Sequence, residues 1–94
     1  MLYAIICHDK NGASSVRAEN RPDHLDYLKG FADRAHAVGP MLSDDGADMV
    51  GSLLIMNFDS MDDAASFAEG DPYNKAGLFD SVTIKAWKQV LPAL

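Results

Sequence analysis

Ser52-Leu53-Leu54-Ile55-Met56-Asn57-Phe58 is the clearest strand in this chain of 94 residues. It is a short apolar run bounded by polar turn residues, the signature of an extended segment inside a sheet. Its odd and even positions are both apolar, whereas a sheet with one wet face alternates apolar and polar residues. Just downstream, Ser60 is a suitable N-cap, and Asp62 and Asp63 suit the positive end of a helix. Ala64, Ala65, Phe67 and Ala68 give that helix its apolar side, and Gly70 ends it. Asp71-Pro72-Tyr73 then opens a short turn or helix through Leu78, before a final strand from Ser81 to about Val90. Upstream lie the acidic loop Asp44-Asp45-Gly46-Ala47-Asp48 and a short strand at Met41 to Ser43.

Farther upstream, Leu25, Leu28, Ala32, Ala35 and Val38 recur at helical spacing. Pro22 sits where a first helical residue belongs, since its missing N–H is not needed there, and Gly39-Pro40 stops the helix. The stretch Gly12 to Asn20 reads as a polar connecting loop. Leu2 to His8 is a strand closed by the turn cluster Asp9-Lys10-Asn11-Gly12. The predicted order is β-α-β-β-α-β, an α+β, ferredoxin-like arrangement in one domain over residues 1–94. Leu2 to Cys7 repeats the pattern of apolar residues on both faces. Two helices cover one face, and a chain this short has no third layer for the other. A second copy packed face to face would cover it, so the expectation is a homodimer.

The formal net charge is −6, from 14 acidic and 8 basic residues. Basic residues are scattered, which argues against nucleic acid or an anionic membrane as partner. Cys7 is the only cysteine, so neither an internal disulfide nor a Cys-rich zinc site can form in one chain. No apolar run is long enough to span a membrane, and no basic leader precedes the first strand, so the expected location is cytoplasmic.

Two segments carry the chemistry. Arg21-Pro22-Asp23-His24-Leu25 offers a histidine in the first turn of a helix, and Asp71-Pro72-Tyr73 a carboxylate stiffened by proline. A His–Asp pair is minimal equipment for moving protons near neutral pH. The competing readings are a surface histidine for His24 and a turn former for Asp71. Tyr73, Ser52 and Arg21 are secondary candidates for binding substrate, although Arg21 could equally form a surface salt bridge. Ser52 lacks the tight strand-turn-helix setting of a nucleophile. His8, His36 and the acidic loop match no compact ligand motif, so no metal is expected. The isolated glycines form no phosphate cradle, and no cofactor is expected.

An ordered set of residues resembles the YCII-related (YciI-like) family of small bacterial proteins. It comprises Met1-Leu2-Tyr3, Arg21-Pro22 with His24-Leu25 and Leu28, Gly39-Pro40, and Gly51-Ser52. Asp71-Pro72-Tyr73, Ala76-Gly77, Val82, Ile84-Lys85 and Trp87-Lys88 complete it. The resemblance implies a ferredoxin-like fold that dimerises into an α/β barrel, with His24 and Asp71 as active-site residues. It also implies lyase chemistry in some members, including chloride elimination from a hydroxylated aromatic ring. The resulting expectation is a cofactor-independent enzyme, lyase or isomerase in type, acting on a small molecule. The alternative is a non-catalytic ligand-binding or structural interaction module.

Overall fold

A computed structural model describes all residues 1–94. Strands β1 (Leu2–Asp9), β2 (Ala35–Leu42), β3 (Met49–Asn57) and β4 (Phe79–Trp87) form one antiparallel sheet in the order β2-β3-β1-β4. Helices α1 (Ser14–Lys29), α2 (Met61–Gly70) and the single turn α3 (Pro72–Lys75) complete a ferredoxin-like fold, the subunit architecture of dimeric α/β barrels. No helix is long and apolar enough to cross a membrane.

The β1–β3 register pairs Tyr3 with Met56 and Ile5 with Leu54. These side chains join Cys7, Phe58, Ala64, Phe67 and Ala68 in the core between sheet and helices. Tyr27, Phe31, Phe58 and Phe67 add an aromatic cluster at one end, with Phe31 edge-on to Phe67 at a centroid distance of 4.8 Å. Alternation puts Leu2, Ala4 and Ile6 of β1 on the opposite face, beside Leu53 and Ile55 of β3. This apolar face has no covering layer, and Leu53 remains 37% exposed. Gly51 lets β3 pass close to β1, because a Cβ there would lie 2.4 Å from the Cys7 carbonyl oxygen.

Helix α1 departs most from expectation. The segment Gly12 to Asn20, expected as a loop, is helical from Ser14, and the helix ends at Lys29 rather than near Val38. Pro22 lies inside the helix, not at its start. His24 is therefore an interior helical residue, beyond reach of the positive charge at the helix end. The reason is the character of the buried stripe. Arg17 and His24 are buried while Leu25 is 40% exposed, so the inward side of α1 is partly polar and escapes a search for apolar periodicity.

Gly39-Pro40 does not stop a helix; it lies within β2. Proline is tolerated there because β2 is an edge strand. His36, which the expected helix through Val38 would have included, is an exposed β2 residue hydrogen-bonded to Gln89. The short strand expected at Met41 to Ser43 is the far end of β2, and β4 begins at Phe79 and stops at Trp87. In contrast, Ser60 caps α2 as its chemistry suggests, its hydroxyl accepting from the Asp63 N–H at 3.1 Å.

Candidate functional site

The site is assembled from three places in the chain. β1 and β3 point Cys7, Asp9 and Ser52 toward the helices, since Cys7 pairs with Ser52 and shares its face with Asp9 two residues on. Helix α1 brings Arg17 and His24, seven residues apart and on one side. The short connection after α2 brings Asp71 and Tyr73. Asp71 N-caps α3, with Pro72 following in the first helical position.

His24 Nδ1 lies 2.8 Å from Asp71 Oδ1, and both side chains are buried. The same carboxylate oxygen accepts the Tyr73 N–H at 2.9 Å. Asp71 is thus both the turn former and the histidine's partner. With the carboxylate ionised, Nδ1 carries the bridging proton, and neutral His24 presents a lone pair on Nε2. No fully buried side-chain nitrogen or oxygen lacks a partner, and Nε2 makes no protein hydrogen bond. It is therefore not sealed in the interior, and His24 is one of the residues that line a pocket. The Tyr73 ring stacks on the imidazole at 3.9 Å with a 15° interplanar angle and fixes its plane.

Arg17 lies against the other side of the assembly, its guanidinium carbon 4.7 Å from the Tyr73 ring centroid. Its Nε and Nη2 donate to Asp9 at 2.7 and 2.9 Å, and Nη2 also donates to the Ser52 hydroxyl at 3.0 Å. Burial opposes the Arg17 charge, but its bonds to Asp9 and that carboxylate's charge prevail, so its pKa rises. Burial also raises the Tyr73 pKa despite the nearby Arg17 charge, which keeps the phenol a neutral donor at physiological pH. Arg21 is exposed at the pocket mouth and forms no ion pair.

The pocket has a volume of about 330 Å³. Leu25, Leu28, Val38, Pro40 and Met49 are its apolar lining, and Arg17, Arg21, His24, Ser52 and Tyr73 its polar and aromatic lining. All five candidates from the sequence therefore meet in or directly behind one cavity. Sequence reading missed Arg17 and Asp9. Their signal was the seven-residue spacing from Arg17 to His24, which becomes visible only if Gly12 to Asn20 is read as helix. His8 is exposed and does not line the pocket. No group of three or more His, Cys, Asp or Glu side chains is arranged to hold a metal.

Cys7 is buried beside the site. Burial first, and then the Asp71 charge, pushes its pKa from 9.0 up to about 12. The thiol is therefore neutral and unsuited to nucleophilic attack. Native protein at pH 8 is expected to resist iodoacetamide, with labelling only on unfolding; rapid native labelling would contradict this burial. Because the folded pKa lies above the unfolded one, the fold favours the protonated thiol. That contribution is complete below pH 9 and is lost as pH rises toward 12. Tyr27 and Tyr73 shift the same way, so denaturant midpoints should fall over this alkaline range.

A ferredoxin-like chain with a buried histidine–carboxylate pair behind a pocket of about 330 Å³ defines a class of compact α+β proteins. The YCII-related domain model matches residues 1–88, and the chain belongs to that family. It is 36% identical to Protein YciI of Escherichia coli O6:H1 over 97 aligned positions, covering 96% of this chain and 99% of that protein. A Haemophilus influenzae protein is 31% identical with the same coverage. Among solved structures, it is similar to the 5-chloro-2-hydroxyhydroquinone dehydrochlorinase of Burkholderia phenoliruptrix AC1100, in complex with 2,5-dihydroxybenzoquinone. The TM-score is 0.87 at 40% sequence identity, over 94% of each chain.

Proposed function

We propose that the protein is a cofactor-independent enzyme that moves a proton on a small molecule, in a lyase-type or isomerase-type reaction. The observation carrying this reading is the 2.8 Å contact from His24 Nδ1 to Asp71, in a histidine that lines the pocket. Nε2 takes a proton from an acidic C–H or O–H, and Asp71 stabilises the imidazolium that forms. The electron pair left on the substrate then expels a leaving group, or accepts a proton back at another atom. Similarity to a dehydrochlorinase supports the elimination branch. The double duty of Asp71, as helix cap and histidine partner, keeps the imidazole oriented throughout.

The test is solvent exchange. Small enolisable and hydroxylated ring acids are incubated with the protein in D₂O and followed by NMR. Deuterium uptake or leaving-group release that requires His24 supports the proposal. Saturable binding with no chemistry in any of them favours the non-catalytic ligand-binding alternative.

The working form we propose is a homodimer. The uncovered apolar face of Leu2, Ile6, Leu53 and Ile55 supports this, because a second copy buries it without adding a layer to the chain. Sedimentation should give twice the monomer mass, and Ile55→Glu should give monomers. A monomeric wild type at micromolar concentration would exclude the dimer.

A further inference from the structure

The pocket lining differs in charge from the chain as a whole. The protein carries a net charge of −6, yet Arg17, Arg21 and His24 line the cavity and no carboxylate does. The two carboxylates bonded to this wall, Asp9 and Asp71, are not among the lining residues, whereas their partners Arg17 and His24 are. Each buried pair thus contributes its basic member to the lining. Low-dielectric walls concentrate such a field on a bound ligand.

Arg17 is built for more than packing. Asp9 grips Nε and Nη2, and Ser52 receives a second bond from Nη2, so the planar fork is held in one orientation. Nη1 takes part in none of these bonds. Since no fully buried side-chain nitrogen lacks a partner, the small exposed remainder of Arg17 includes Nη1. Ser52 accepts from Arg17 and keeps its own hydroxyl proton free to donate. Arg21, one helical turn after Arg17, adds a cation that no carboxylate of this chain neutralises.

We propose that the pocket binds its substrate as a small organic oxyanion, an enolate or phenolate of about one ring in size. Arg17 Nη1, Arg21 and the Ser52 hydroxyl hold its charged oxygen, and Asp9 is the positioning residue that orients Arg17. The volume of about 330 Å³ and the apolar side chains that share the lining with the arginines suit a ring of that size. Donors fixed in advance stabilise charge without reorganising, so the same groups would support the electron pair released when His24 takes a proton. The assignment of the reacting proton rests on the proton-transfer reading; the binding of an anion does not.

Calorimetry with 2,5-dihydroxybenzoquinone, an ionisable ring acid, and with its neutral 2,5-dimethoxy ether separates charge from shape. The acid should bind at least roughly tenfold more tightly than the ether, and added salt should weaken it. Arg21→Gln should weaken the acid by about tenfold and leave the ether unchanged. Arg17→Lys, with its fold checked by circular dichroism, should do the same. Arg21 is exposed, so its variant carries the test if Arg17→Lys is unstable. Equal affinity for acid and ether overturns the proposal, as does an unaltered Arg21→Gln, or no binding of the acid at millimolar concentration. Each of those results leaves the proton-transfer reading standing. Absence of His24-dependent exchange would remove that reading and leave anion binding intact.

Discussion

His24→Asn is expected to lower the rate constant for proton transfer by about 10²- to 10⁴-fold, the range typical of a lost general acid–base group. KM should change little, because the contacts proposed for the oxyanion, to Arg17, Arg21 and Ser52, do not involve the imidazole. Asp71→Asn should lower the rate on the same order by another route. An amide can donate to Nδ1, which moves the imidazole proton to Nε2 and turns the base's lone pair away from the substrate. The tautomer, rather than the charge alone, is then at fault. Because Asp71 Oδ1 also accepts the Tyr73 N–H, the asparagine variant must be shown to fold before rates are compared. Normal turnover in a folded His24→Asn protein would sink the mechanism.

Asp9→Asn is expected to produce the largest loss of stability. Both partners of the Arg17–Asp9 pair are only 7% exposed, and the contact is bidentate. Removing one charge strands the other in a medium that solvates it poorly, at a cost of about 3–5 kcal/mol. For a domain of this size, that lowers Tm by roughly 15–25 °C. The joint change Asp9→Ala with Arg17→Met should be milder than Asp9→Asn, since it leaves no unpaired charge buried. A contrasting control is Asp26→Asn. Its 3.8 Å pair with Lys29 is almost fully exposed, and its loss should barely move Tm. Thermal melts of the four proteins decide the matter; an Asp9→Asn melt like that of Asp26→Asn would show that the buried pair has no such role.

The two predictions act on different parts of one assembly. Asp71, His24, Tyr73, Arg17 and Asp9 form a continuous run of hydrogen bonds and stacked planes. In the proposed reaction the Asp71 end sets the proton transfer, and the Asp9 end fixes the orientation of Arg17. Tyr73 stands between them, only 1% exposed, and couples their geometry.

Local chemistry was sufficient for a large part of this molecule. The apolar runs at Leu2 to Cys7 and Leu53 to Met56 specify central strands, because only the middle of a sheet accommodates apolar residues on successive positions. Ser60 and Asp71 announce their caps through side-chain oxygens that reach their own downstream N–H groups. The pairing of His24 with Asp71, 47 residues apart, was legible from residue chemistry and family pattern together. What the sequence could not settle was whether an amphipathic face was apolar at all. The inward side of α1 presents Arg17 and His24, which a hydrophobicity pattern assigns to solvent; only packing against Asp9, Ser52 and Asp71 makes their burial tolerable. Likewise Ala35 to Leu42 carries a helical rhythm into a Gly-Pro break, and became a strand because β3 offered it an open edge. Sequence by itself determined the sheet's centre and the caps. Tertiary structure decided where α1 runs and that Arg17 is buried beside His24, because both depend on partners supplied by distant strands.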